Sequence, residues 1–140
     1  MPANKKLGQH WLQDSKILQT IADYAELSAE DYVLEIGPGL GTLTSRLLKS
    51  VAEVLAVEYD PALAENLPKS FPGKTTLTVQ NSDIRNFNFE QLPKDYKLIT
   101  NLPYYISGIF FRIIIDTQNK PTKAVILVQK EVAEKMAQSP

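Results

Sequence analysis

Residues 32 to 42 read Tyr32-Val33-Leu34-Glu35-Ile36-Gly37-Pro38-Gly39-Leu40-Gly41-Thr42. The first five form an apolar, β-branched run of strand length, and Thr42 to Ser50 after the glycines reads as a helix. A strand that turns through glycines into a helix opens a βαβ unit, and its backbone can approach a ligand closely. The spacing is GxGxG rather than the GxGxxG of a pyrophosphate cradle, which favours a nucleotide-like ligand without phosphates. A tight turn with no ligand is the plain alternative.

The same alternation continues on both sides of this stretch. Val54 to Glu58 reads as the next strand, followed by a helix over Pro61 to Ser70. Asp60 is its cap and Pro61 its first residue, where a missing N–H costs nothing. Leu77 to Gln80 reads as a third strand, Tyr96 to Thr100 as a fourth, Ile106 to Thr117 as a very apolar helix and Lys123 to Val128 as a fifth strand. Glu131 to Gln138 opens a further helix with no strand after it, so the domain is expected to be cut short before its last strands. Upstream, Asp14 to Leu27 places Ile17, Leu18, Ile21, Ala22 and Ala25 on one helical face, with Asp14 or Ser15 as cap. Strand and helix in alternation imply parallel strands with right-handed crossovers, hence a doubly wound α/β fold with helices on both faces of a mostly parallel sheet.

The totals narrow the chemistry. At 140 residues and 44% hydrophobic content the chain suits one globular domain. With no cysteine, disulfides, thiolate metal sites and Cys nucleophiles are excluded, and no metal is expected. Fifteen basic against sixteen acidic residues leave a net charge of -1, which gives no bulk attraction to phosphate. The N-terminus has no apolar run behind Lys5 and Lys6, and no stretch reaches membrane-spanning length, so a soluble, cytoplasmic protein is expected.

In this fold class ligands bind beyond the carboxyl ends of the strands. Glu58 ends the second strand about twenty residues beyond the loop, where a carboxylate accepts from both hydroxyls of a ribose; a solvated acid is the alternative. Asp83, after the third strand, is a candidate acceptor from a cofactor's adenine amine, and equally an ordinary turn residue. Asn101-Leu102-Pro103-Tyr104 follows the fourth strand and is expected over the same rim as the loop. An adenine amine is a poor nucleophile because its lone pair is delocalised into the ring. Hydrogen bonds accepted from its N–H groups by the Asn101 side chain and by a peptide carbonyl beside Pro103 would expose that lone pair, while Tyr104 offers a face for an extruded base. The transfer would be an in-line displacement at a sulfonium methyl, needing alignment and no enzyme nucleophile. The alternative is a strand end with rim aromatics.

Together these residues resemble the ribosomal RNA adenine dimethyltransferases. Leu7-Gly8-Gln9-His10-Trp11-Leu12 is similar to the family's cofactor-covering motif, Val33 to Thr44 to its glycine loop, Asn101 to Ser107 to its catalytic segment and Val128 to Lys135 to a later motif. The string through Ser107 looks more like the small-subunit enzymes than the large-subunit resistance methylases. The resemblance implies a Rossmann-like fold with S-adenosylmethionine as cofactor. His10 and Leu12 would close over it, the loop glycines Gly37 and Gly39 would border it with Gly37 on its methionine part, Glu58 would hold its ribose, Asp83 its adenine, and Asn101 both cofactor and substrate amine. Asn101, Leu102, Pro103 and Tyr104 form the expected catalytic segment.

The implied substrate is ribosomal RNA or the immature small subunit and the implied parent is a monomer; Lys5 and Lys6 would graze RNA phosphate, two solvated lysines on an arm being the alternative. Tyr105 stands where the family often has Asn, so that residue's contacts are not carried over. Residues 1–140 are expected to form the cofactor-binding domain without the family's last strands and C-terminal helical domain, and therefore to hold part of the cofactor site and bind RNA poorly. A non-catalytic assembly or transcription factor, or a nicotinamide dehydrogenase on the same sheet, are the competing readings.

Overall fold

Parallel strands need crossovers, and the crossovers here place every strand's carboxyl end on one rim. The computed structural model describes residues 15–102 and 104–128. In chain order these are α1 (Ser15–Tyr24), β1 (Tyr32–Ile36), α2 (Thr42–Leu48), β2 (Glu53–Glu58), α3 (Pro61–Asn66), β3 (Leu77–Asn81), β4 (Lys97–Leu102), α4 (Tyr104–Asp116) and β5 (Lys123–Val128). The five strands form one parallel sheet in the order β3-β2-β1-β4-β5. The chain winds outward from β1 through β2 to β3, then crosses back to β4 on the other side of β1. The gap between the ends of β1 and β4 is therefore the topological switch point, and the glycine loop leaves β1 there.

Strand alternation sorts side chains to the two faces. Leu34, Ile36, Leu55, Val57 and Leu98 meet Phe110 of α4 and the segment between β3 and β4, which supplies Ile84, Phe87, Phe89 and Leu92. Val33, Val54 and Ile99 face the opposite way, against Ile21 and Ala25 of α1 and Leu43 and Leu47 of α2. Both faces are covered by helices, as the alternation implied. The segment after β3 was not read as structured from the sequence. It folds as two 3-10 turns, Ile84–Asn86 and Phe89–Gln91. It is held by Asn119, whose Nδ2 donates to the carbonyls of Phe89 and Leu92 at 2.9 and 3.0 Å.

Several boundaries differ from the sequence reading. Helix α1 ends at Tyr24, before the expected Leu27, because Glu26 takes a left-handed conformation (φ 51), with Glu26 N–H donating to Asp23 and Leu27 N–H to Ala22. The helix expected over Pro61 to Ser70 is α-helical only to Asn66. Pro68 has no N–H for the Ala64 carbonyl, so the rest tightens into a 3-10 turn, Leu67–Ser70. Helix α4 begins at Tyr104, ahead of the expected Ile106. Strand β4 continues past Thr100, because Asn101 and Leu102 pair with Leu127 and Val128 of β5. The Asp14 cap and the helix expected at Glu131 lie outside the described residues. Among the described residues no helix is long and apolar enough to cross a membrane.

Candidate functional site at the switch point

The loop from Gly37 to Gly41 uses its three glycines for three different purposes. All have positive φ, at 74, 58 and 91 degrees for Gly37, Gly39 and Gly41, a region other residues avoid. A Cβ at Gly37 would stand 3.1 Å from the Asn101 carbonyl oxygen, so the loop lies against the end of β4. A Cβ at Gly41 would strike Leu67 at 2.7 Å and the Phe71 ring at 3.1 Å, which makes Gly41 a packing position and the start of α2. A Cβ at Gly39 would meet nothing within 4 Å. Of the three loop glycines, Gly39 alone faces open space among the described residues.

Glu58 is the post to which this loop is tied. It is buried, its Oε1 accepts from Gly39 N–H at 3.1 Å, and its Oε2 accepts from Asp60 N–H at 2.9 Å. One carboxylate thus joins the loop after β1 to the turn after β2. A carboxylate has about four acceptor positions, so two remain for a ligand. Asp60 is the cap of α3, as read from the sequence, with Oδ1 accepting from Ala62 and Leu63 N–H. Asp83 acts as a turn residue in the structure. It accepts from Arg85 N–H at 2.9 Å and pairs with the Arg85 guanidinium, which holds its carboxyl below the usual range. Asn101 is half-buried and pairs through its backbone, while its side chain makes no hydrogen bond among the described residues. It lies inside β4, two residues earlier in the rim than a loop position would be. Thr100 beneath it donates to the Ile36 carbonyl at 3.0 Å and fastens β4 to β1 at the point where the two chains part.

Across the rim the residues thus run Asp83, Glu58, glycine loop, Asn101, in the order of strands β3, β2, β1 and β4. Comparison with known proteins shows the family. Residues 1–140 match the family model described as ribosomal RNA adenine dimethylase. The chain belongs to the ribosomal RNA adenine dimethylase family. Among its relatives, ribosomal RNA small subunit methyltransferase A of Dehalococcoides mccartyi is 42% identical over 137 residues, covering 96% of this chain and 47% of the relative. The protein of the same name from Prochlorococcus marinus is 40% identical, covering 94% and 50%. A dimethyladenosine transferase from Plasmodium falciparum superposes with a TM-score of 0.74 at 30% identity, over 90% of this chain and 46% of that one. The 23S rRNA methyltransferase ErmE gives 0.73 at 30% identity, over 87% and 49%. The chain spans about half the length of the curated relatives it matches. The dehydrogenase reading of the loop and Glu58 is left without support.

Of the residues expected to act in this dimethylase-family site, the structure brings Gly37, Gly39, Glu58 and Asn101 together and sets Asp83 beyond Glu58. His10, Leu12 and Pro103 lie outside the described residues, and Leu102 and Tyr104 are described by their backbone alone: the former ends β4 and the latter begins α4. One residue of the loop motif had been given no role. Glu35, on β1, is 2% exposed, and its Oε1 accepts from Thr44 Oγ1 of α2 at 2.5 Å. Burial pushes its carboxyl up to about 7; the Thr44 bond opposes the rise and the nearby Glu58 charge adds to it. An acid in the middle of an apolar strand was the available signal.

Proposed function

We propose that the protein transfers methyl groups from S-adenosylmethionine to the N6 amines of adenines in small-subunit ribosomal RNA, dimethylating them. The observation that carries this reading is the order of the rim. Asp83, Glu58, the glycine loop and Asn101 follow one another across three strand intervals, about 14 Å at ~4.8 Å each. Adenine, ribose, methionine part and reactive methyl can be met in that sequence. The family match supports both the cofactor and the RNA substrate.

The residues present suit the cofactor. No atom of the described residues stands within 4 Å of a Cβ placed on Gly39, Glu58 keeps acceptor capacity, and the Asn101 amide is uncommitted among the described residues. Glu58 would hold the ribose, Asp83 the adenine, Gly37 and Gly39 the methionine side, with His10 and Leu12 covering it. When bound, S-adenosylmethionine supplies an electrophilic methyl on a sulfonium. The chain's own residues orient the acceptor. The Asn101 side-chain carbonyl and the peptide carbonyl beside Pro103 accept from the adenine N–H groups and aim the nitrogen lone pair, and Tyr104 stacks on the base. The reading places the protein in the cytoplasm, acting as a monomer on immature small subunits.

The test is to incubate the protein with immature small subunits and labelled S-adenosylmethionine and to map methylated adenines by mass spectrometry. Dimethyladenine in the small-subunit RNA is expected. A product on DNA alone, or binding of RNA with no transfer in a single turnover, defeats the proposal. Asn101→Ala is expected to lower kcat by about 100-fold or more while changing cofactor affinity much less.

A further inference from the structure

Glu35 is a buried ionisable group that the proposed chemistry does not use. Its surroundings are specific. From α2 it is faced by the Thr44 hydroxyl, from β2 by the backbone of its ladder partner Ala56 and by the charge of Glu58 further along, and from β4 by its ladder partner Ile99. The α1 residues buried on this face, Ile21 and Ala25, are apolar. Its second oxygen, Oε2, has no hydrogen-bond partner among the described residues, and no cation there faces it. It sits two residues before Gly37 and is coupled electrostatically to Glu58, which itself holds Gly39.

We propose that Glu35 is a positioning residue that serves as the buried counter-charge of a cationic cofactor, giving up its proton to solvent when the cofactor binds over the glycine loop. This rests on the proposed cofactor, whose sulfonium and ammonium outweigh its single carboxylate by one positive charge. A buried carboxyl without a cation favours the neutral form; a cation brought within a few ångströms restores the anion. Near pH 7 the free protein therefore carries Glu35 in both states. Cofactor binding draws it to the carboxylate, and loss of the methyl, which removes the sulfonium charge, lets the proton return. The exchange is complete in atoms: in each molecule that carries the proton beforehand, it passes from Glu35 to bulk water on binding, and it is taken back from water on product formation. Such coupling weakens the hold on the product relative to the cofactor.

The experiment is calorimetry of S-adenosylmethionine binding to the 140-residue chain at pH 7 in buffers of different ionisation enthalpy. If the bound value falls one unit below the free one, about 0.4 proton is released per cofactor, and affinity rises about fivefold from pH 6 to pH 8. S-adenosylhomocysteine is expected to release less. Glu35→Gln, which keeps an acceptor for Thr44, is expected to bind with no Glu35-linked release and a flat pH profile; a purely structural Glu35 would shift affinity equally at every pH. Thr44→Val, which removes the donor to Oε1 and leaves the carboxyl in place, is expected to move the midpoint of the release to higher pH. A carboxyl NMR titration of the free chain is expected to find Glu35 near neutrality, and a midpoint below about pH 5 overturns the proposal without reference to any ligand. Tight binding without proton release, or release that persists in Glu35→Gln, overturns the counter-charge and leaves the cofactor site standing. Absence of binding from pH 6 to pH 8 overturns the cofactor reading and the counter-charge with it.

Discussion

Glu35 also sets how stability follows pH. Its ordinary value is 4.5 and burial raises it to about 7 in the folded chain. Between those limits the native state binds more protons than the unfolded state, so this group's contribution falls as pH rises through the window and is constant above it. The loss is about 3 kcal/mol. Asp31 works in the opposite sense. Burial pushes its carboxyl up, but the bonds from Lys97 and Ser28 N–H outweigh that and hold it below the usual range, so its stabilisation is present at neutral pH and lost in acid. Because Asp31 is common to wild type and Glu35→Gln, their difference isolates Glu35. Urea unfolding at several pH values is expected to show wild type losing about 3 kcal/mol relative to Glu35→Gln between pH 4.5 and pH 8. Parallel profiles would rule out a buried, late-titrating acid. At this scale the sequence was partly legible. The Asp60 cap follows from Asp-Pro before a helix, because the partners are two and three residues away. The role of Glu35 depends on a hydroxyl nine residues on, placed by a loop whose path no local pattern specifies.

At the scale of elements, the loop between β1 and α2 divides into an open part, proposed to meet the cofactor, and a packing part. Among the described residues Gly39→Ala meets no atom within 4 Å, so its cost there is the left-handed backbone alone, about 1 to 2 kcal/mol. Its methyl would stand in the space assigned to the cofactor. Gly41→Ala adds to the same backbone cost a collision with Leu67 and Phe71, which link the loop to the end of α3, and is expected to lose about 3 kcal/mol or more. Measured side by side, Gly39→Ala is expected to unfold close to wild type yet bind S-adenosylmethionine at least tenfold more weakly, and Gly41→Ala to show its loss mainly in stability. Equal effects of the two on binding would remove the distinction between the glycines. Two element boundaries that departed from expectation have different causes. Pro68 breaks α3 locally, whereas β4 lengthens because β5 offers partners for Asn101 and Leu102. The second cause is nonlocal, and it moves Asn101 from a loop into a strand, where its backbone is held by the sheet.

For the molecule as a whole, the strand order was legible in class and not in detail. Alternation of apolar strands with helices fixes parallel pairing, but only the crossover back from β3 to β4 creates the switch point, and nothing local to either strand announces it. The consequence is that the residues proposed to contact a ligand come from the ends of β1, β2, β3 and β4; Ile36 and Thr100, which are hydrogen-bonded there, stand 64 residues apart in sequence. A ligand seated there bridges both halves of the sheet and is bound by the native state only, so it stabilises the entire fold by mass action. At a concentration one hundred times its Kd the gain is about 2.7 kcal/mol, which for a domain of this size raises Tm by roughly 10 °C. S-adenosylhomocysteine is expected to produce this shift in a thermal melt of the wild-type chain, to lose most of it with Glu58→Ala at the same concentration, and to be matched by no effect of NAD. A shift with NAD alone would return the rim to a dinucleotide and sever the link between the order of its residues and the parts of the cofactor.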